Sequence, residues 1–132
     1  MDNIGYCGDD CNQCPRYLAT QSGDEERFKK VAEMWRTVGW RYTLEPPQKQ
    51  VCYGCDSLEI CEPGIRDCVM AKGLDSCGKC ADYPCEKLVR IFENNRREAA
   101  ICKKKFSKED YEIFQRAFFD KKKRLDEMHR SF

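Results

Sequence analysis

Apolar residues recur along this chain at helical spacing and almost nowhere in alternation. Phe28, Val31, Ala32, Trp35 and Val38 repeat at steps of three and four, which places them on one face of a helix. Ser22 followed by Glu25 predicts a capping box at its start, and Gly39 is placed to end it. Before it, Pro15 suits a helix first turn and predicts a short helix through about Gln21. A second long stripe joins Leu88, Ile91, Phe92, Ala99, Cys102 and Phe106, in a helix opened by Pro84. Ser107 with Asp110 predicts the start of a last helix, with Tyr111, Phe114, Phe118 and Leu125 along one side.

Between these stripes the pattern fails. Residues 1–14 read as a tight loop, and residues 40–51, with Pro46-Pro47, as an extended linker. From Cys52 to Cys85 one helical piece is predicted, Ile65 to about Lys72, ended by Gly73. No strand alternation and no repeat of fixed period is present. The expected fold is a mainly α, small, metal-stabilised domain with cysteine-rich loops and little strand. It spans residues 1–132 as one domain, with a cysteine-rich metal-binding part at 1–85 and C-terminal basic helices at 86–132.

The apolar stripes are thin for the length. Leu, Ile, Val and Phe number 24 of 132 residues, and 36% of the chain is charged. That apolar share falls below the roughly 20% that ordinarily supports a packed core. Another source of stability is required, and the 11 cysteines are the candidate. The opening Met1-Asp2-Asn3-Ile4 has no basic or apolar run, which predicts no secretory leader and a cytoplasmic, reducing setting. No apolar run is long enough to span a membrane. An odd cysteine count and three Cys-x-x-Cys pairs argue for chelation over disulfides.

Those pairs are Cys11/Cys14, Cys52/Cys55 and Cys77/Cys80. Two sulfurs on a tight turn reach one tetrahedral ion at about 2.3 Å. Cys52-x2-Cys55, followed after 21 residues by Cys77-x2-Cys80, approaches a two-knuckle zinc spacing. Cys7, Cys61, Cys68 and Cys85 complete a set of ten candidate ligands for two or more Zn2+ ions. Loop closure predicts that Cys7, Cys11 and Cys14 share an ion with a cysteine from residues 68–85. It pairs Cys52 and Cys55 with ligands from residues 61–80. Cys7-x3-Cys11-x2-Cys14-Pro15 also matches a spacing that holds iron–sulfur clusters, which stands as the second cofactor reading. No βα repeat accompanies it, so a radical enzyme barrel is excluded.

Three of these stretches carry a family resemblance. Tyr6-Cys-Gly-Asp-Asp-Cys-Asn-Gln-Cys-Pro-Arg-Tyr-Leu-Ala-Thr20, Cys52-Tyr-Gly-Cys55 with Ile65-Arg-Asp-Cys68, and Cys77-Gly-Lys-Cys80-Ala-Asp-Tyr-Pro-Cys85-Glu stand in order. Together, over about residues 4–92, they resemble a family of small cysteine-rich prokaryotic proteins known as a domain of unknown function and held to bind zinc. The resemblance implies metal binding and an intracellular setting and implies no reaction. One position departs: the family places a cysteine two residues before the Ile-Arg pair, where this chain has Pro63, with Cys61 two residues earlier.

Charge refines the expected partners. Residues 1–85 carry 10 basic and 14 acidic groups, and residues 86–132 carry 14 and 9. The runs Lys103–Lys105 and Lys121–Arg124 read as solvated faces. Packing of the basic helices on the anionic half, made more negative by zinc held by four thiolates, is one alternative, and contact with nucleic acid or an acidic partner is the other. Cys102 belongs to an apolar stripe and reads as core, and His129, near the end, as solvated. Trp35, Trp40 and Tyr42 read as packing, with a stacking surface as the alternative. No phosphate loop or nucleophile motif is present. The leading expectation is a zinc-binding interaction module for an unknown protein partner, with no catalytic residue. A zinc-thiolate redox or alkyl-transfer enzyme and an iron–sulfur carrier or sensor are the alternatives.

Overall fold

The structure, a computed structural model, describes residues 4–55 and 64–132. It is mainly α. The helices are α1 Pro15–Ser22, α2 Glu25–Val38, α3 Pro47–Gln50, α4 Ile65–Ala71, α5 Glu86–Lys105, α6 Lys108–Phe114 and α7 Lys121–Ser131. Among the described residues β pairing is reduced to one isolated bridge between Ile4 and Asp10. None of the described helices is long and apolar enough to cross a membrane.

Local chemistry places most of the boundaries. Pro15 stands at the first turn of α1, and Gly23 closes it at φ +69°. The cap of α2 is Asp24 rather than Ser22: Asp24 Oδ1 accepts from Glu26 N at 2.9 Å. Ser22 is consumed one helix earlier, its hydroxyl donating to Ala19 O at 3.0 Å. Gly23 in the left-handed conformation ends α1 so abruptly that only the following residue has the extended backbone a cap needs. Ser107 caps α6 as expected, accepting from Asp110 N at 3.1 Å. Residues 40–51 are not wholly extended, because Pro47 opens the short α3.

The predicted last helix is broken. Its middle, Gln115–Phe119, is a π turn between α6 and α7. A π turn widens the helix and leaves carbonyls to be satisfied from outside. Arg124 donates to Arg116 O at 2.7 Å and to Ala117 O at 3.1 Å. Asp10 N also donates to Ala117 O, at 2.9 Å. The turn redirects the apolar face, so the two ends of the segment serve different cores.

The first core joins α2 to α6 and the π turn. Trp35 meets Phe114 and Phe118 edge-on at 5.3 and 5.8 Å, and Trp40 stacks on Phe114 at 5.4 Å. Trp40 Nε1 donates to Glu98 of α5. Both tryptophans therefore pack internally, whereas Tyr42 is fully exposed. Cys102 is completely buried in this core. The second core holds Ile65 and Val69 of α4, Leu88 and Phe92 of α5, Leu125 of α7 and Cys77. It lies directly under the cysteine loops.

Candidate functional site

Nine of the ten candidate cysteines fall within the described residues, and Cys61 lies outside them. The nine separate into two neighbourhoods, and the partition differs from the expected one. Cys52 and Cys55 join Cys7, Cys11 and Cys14. Cys68 joins Cys77, Cys80 and Cys85.

The first group is assembled by α1. Arg16 Nε donates to Gln50 O at 2.6 Å, and the Thr20 hydroxyl accepts from Cys52 N at 2.9 Å. These two side chains, one helical turn apart, draw residues 50–52 across α1 and bring Cys52 toward Cys14. Cys55 reaches over the first loop, where a Cβ on Gly5 would stand 3.0 Å from its Sγ. The buried guanidinium of Arg66 fixes the Cys55 carbonyl from the other side at 2.8 Å. The Cys11/Cys14 pair itself is a tight turn, with Cys14 N donating to Cys11 O at 3.1 Å. Burial, then the charges of Cys55 and Cys14, push the Cys11 thiol up to about 12. Burial likewise pushes Cys14 up to about 12, with Asp9 and Cys52 adding to it. Cys7 is raised by burial and then by Asp9.

The second group lines one cavity of about 80 Å³ together with Ile65, Val69, Leu74 and Leu88. Its knuckle repeats the geometry of the first, with Cys80 N donating to Cys77 O at 3.1 Å. Ser76 Oγ caps the turn by accepting from Gly78 N at 3.1 Å. Burial, then the charges of Cys85 and Cys68, push Cys77 up to about 12. Lys72, the C-cap of α4 one turn after Cys68, sets its Nζ 3.1 Å from Cys80 Sγ and 3.1 Å from Asp82 Oδ2. The Cys80 contact, then the Asp82 carboxylate, hold the Lys72 ammonium above its ordinary range.

The two loops touch, since Cys77 N donates to Tyr6 O at 3.0 Å. They also share α7 as a common support. Gly8, at φ +94°, lies so close that a Cβ there would meet Leu125 Cγ at 2.9 Å and Lys121 O at 3.1 Å. Arg124 Nε donates to Gly8 O at 2.7 Å. Lys121, buried, pairs with Asp9 at 2.7 Å. Burial opposes its charge, but Asp9 and then Cys7 raise it above the ordinary lysine value. On the second loop, Tyr83 Oη donates to Asp126 Oδ1 at 2.5 Å, and its ring lies 5.0 Å from that of His129. His129 Nδ1 donates to Gly78 O at 3.0 Å. The histidine expected to be solvated is thus docked on the second knuckle.

Much of the second basic run is committed to this packing. Lys121 and Arg124 hold the first loop, and Lys122 pairs with Asp126 at 2.7 Å. Lys103–Lys105 are exposed at the end of α5, where their charge complements the negative end of the helix dipole. Lys72 went unread in the sequence, where the four-residue step from Cys68 to the C-cap of the same helix was the signal.

Among the described residues no three His, Cys, Asp or Glu side chains are closed into metal-ligating geometry. The donor sets themselves suit a thiophilic ion: sulfur donors in knuckle turns, with Cys7, Cys11, Cys14 and Cys77 desolvated and a lysine beside one thiol of each group. Raised thiols stay protonated at neutral pH until a metal displaces the proton.

Fold and site define a small helical, cysteine-rich protein whose loops are gathered into two thiol neighbourhoods. The chain belongs to the family described as "Protein of unknown function (DUF3795)", which matches residues 3–90. That match includes every candidate cysteine and ends before α6 and α7. Neither curated proteins nor solved structures gave a match.

Proposed function

We propose that this chain is a metal-binding protein holding two zinc ions in thiolate sites, whose role is to fix the cysteine loops as a platform for a protein partner in the cytoplasm. The first site draws four ligands from Cys7, Cys11, Cys14, Cys52 and Cys55, and the second uses Cys68, Cys77, Cys80 and Cys85. The observation that carries this reading is the convergence of cysteines far apart in sequence into two cysteine-rich neighbourhoods. Four thiolates fill a tetrahedral zinc shell and leave no open position, which favours a structural role over a catalytic one. A structural zinc contributes roughly 10–16 kcal/mol of apparent binding energy, enough to offset a thin apolar core. Lys72 and Lys121 would compensate the negative charge of such sites.

The test is elemental analysis with an absorption spectrum of untagged protein purified anaerobically. Two zinc ions per chain and a colourless solution are expected. One ion or none would sink the proposal, and a brown protein with iron and sulfide would replace zinc by an iron–sulfur cluster.

A further inference from the structure

A groove of about 320 Å³ runs between α1, α2 and α6, lined by none of the cysteines. That volume lies within the range of small-molecule sites, roughly 300–1,000 Å³. Its floor is apolar: Val31 and Met34 of α2, both buried, with Ile113 of α6. Its rim is cationic. Arg27 and Lys30 stand on the α2 face that carries Val31 and Met34, and Arg116 faces them from the π turn.

The rim carries one carboxylate, Asp110, and Lys30 consumes it in an ion pair of 2.8 Å. Arg116 is steadied at the edge by its Nε donating to Gln13 Oε1 at 3.2 Å. No carboxylate among the described residues pairs with Arg116 or with Arg27. Two guanidiniums thus flank an apolar trough without an internal counter-ion. A guanidinium presents parallel N–H donors that match the two oxygens of a carboxylate.

We propose that this groove binds a small amphipathic carboxylate, its anionic head between Arg27 and Arg116 and its apolar body over Val31, Met34 and Ile113. The charge of the rim selects an anion, and the floor requires an apolar body behind it. None of the ten candidate ligands lines the groove, although Gln13 and Pro15 in its wall flank Cys14.

The test is titration of the intact protein, as purified, with octanoate, followed through the methyl resonances of Val31, Met34 and Ile113. Octanol and acetate serve as the two half-ligands. Octanoate is expected to shift these methyls saturably at millimolar concentration, and octanol and acetate to bind at least about tenfold more weakly. Arg27→Gln and Arg116→Gln should each weaken octanoate about tenfold while leaving the rest of the spectrum unchanged. Octanol or acetate binding as well as octanoate, unchanged affinity in both variants, or no shift at the three methyls would overturn the proposal.

Discussion

Gly78 lies beneath Met128 so closely that a Cβ on the glycine would stand 3.0 Å from both Cβ and Sδ of the methionine. The same atom would meet the Leu125 carbonyl at 3.1 Å. The second cysteine knuckle and the last helix are therefore in backbone-level contact. Gly78→Ala is expected to destabilise the protein by about 1–3 kcal/mol through this overpacking. Met128→Ala in the same chain should recover part of the loss, since it removes the Sδ contact and leaves those to Cβ and to the Leu125 carbonyl. Denaturant unfolding of the four chains measures the coupling, and additive losses would count against the contact.

The last helix also decides how far metal removal propagates. Leu125 belongs to the core under the cysteine loops, and Arg124 and His129 donate to carbonyls of both loops. Ending the chain after Asp120 is expected to raise amide exchange in residues 5–14 and 76–85 together. Conversely, chelation under reducing conditions should loosen α7 along with the loops. Full protection of α7 in metal-free protein would contradict this.

Lys72 is the side chain most directly tied to the second thiol group. Replacing it by Gln removes an ammonium 3.1 Å from Cys80 Sγ and keeps a similar length. If the four thiols hold zinc, loss of the metal to a competing chelator should become about tenfold faster, in the range of other outer-shell substitutions. The effect should fall on one of two release phases, and Cys68→Ser should fall on the same one. Equal acceleration of both phases would separate Lys72 from the second group.

Cys102 tests the first core without involving metal. It is wholly buried, and burial followed by the Glu98 charge pushes its thiol up from 9.0 to about 11. Alkylation at pH 8 is expected to leave it unmodified in folded protein and to modify it on unfolding. A raised folded value means that its contribution to stability is complete below about 9. It declines as pH rises toward about 11, because the unfolded thiol ionises first. Cys102→Ala should remove that part of the alkaline loss, which unfolding at pH 8 and pH 10.5 would show.

The sequence by itself determined most of the helices and the cysteine knuckle turns, because both rest on local rules. Pro15, Gly39 and Ser107 mark helix ends through backbone geometry and capping that need no distant partner. The two-residue gaps in Cys11/Cys14 and Cys77/Cys80 give the knuckle turns observed. The aromatic stripe from Phe28 to Val38 buries itself as its spacing requires. Ser22 misled because two residues both carry cap chemistry, and the left-handed Gly23 between them settles which one is used.

Only the tertiary structure decided which cysteines meet. Cys52 and Cys55 go to the first loop because Arg16 and Thr20 hold residues 50–52 against α1, contacts more than thirty residues apart in sequence. That leaves Cys68 to Cys77, Cys80 and Cys85. Loop-closure cost grows slowly with length, so sequence separation hardly discriminates between pairings. The π turn at Gln115–Phe119 is equally invisible to periodicity. It exists because one segment must give Phe114 and Phe118 to the first core and Leu125 to the second, and a regular helix cannot face both.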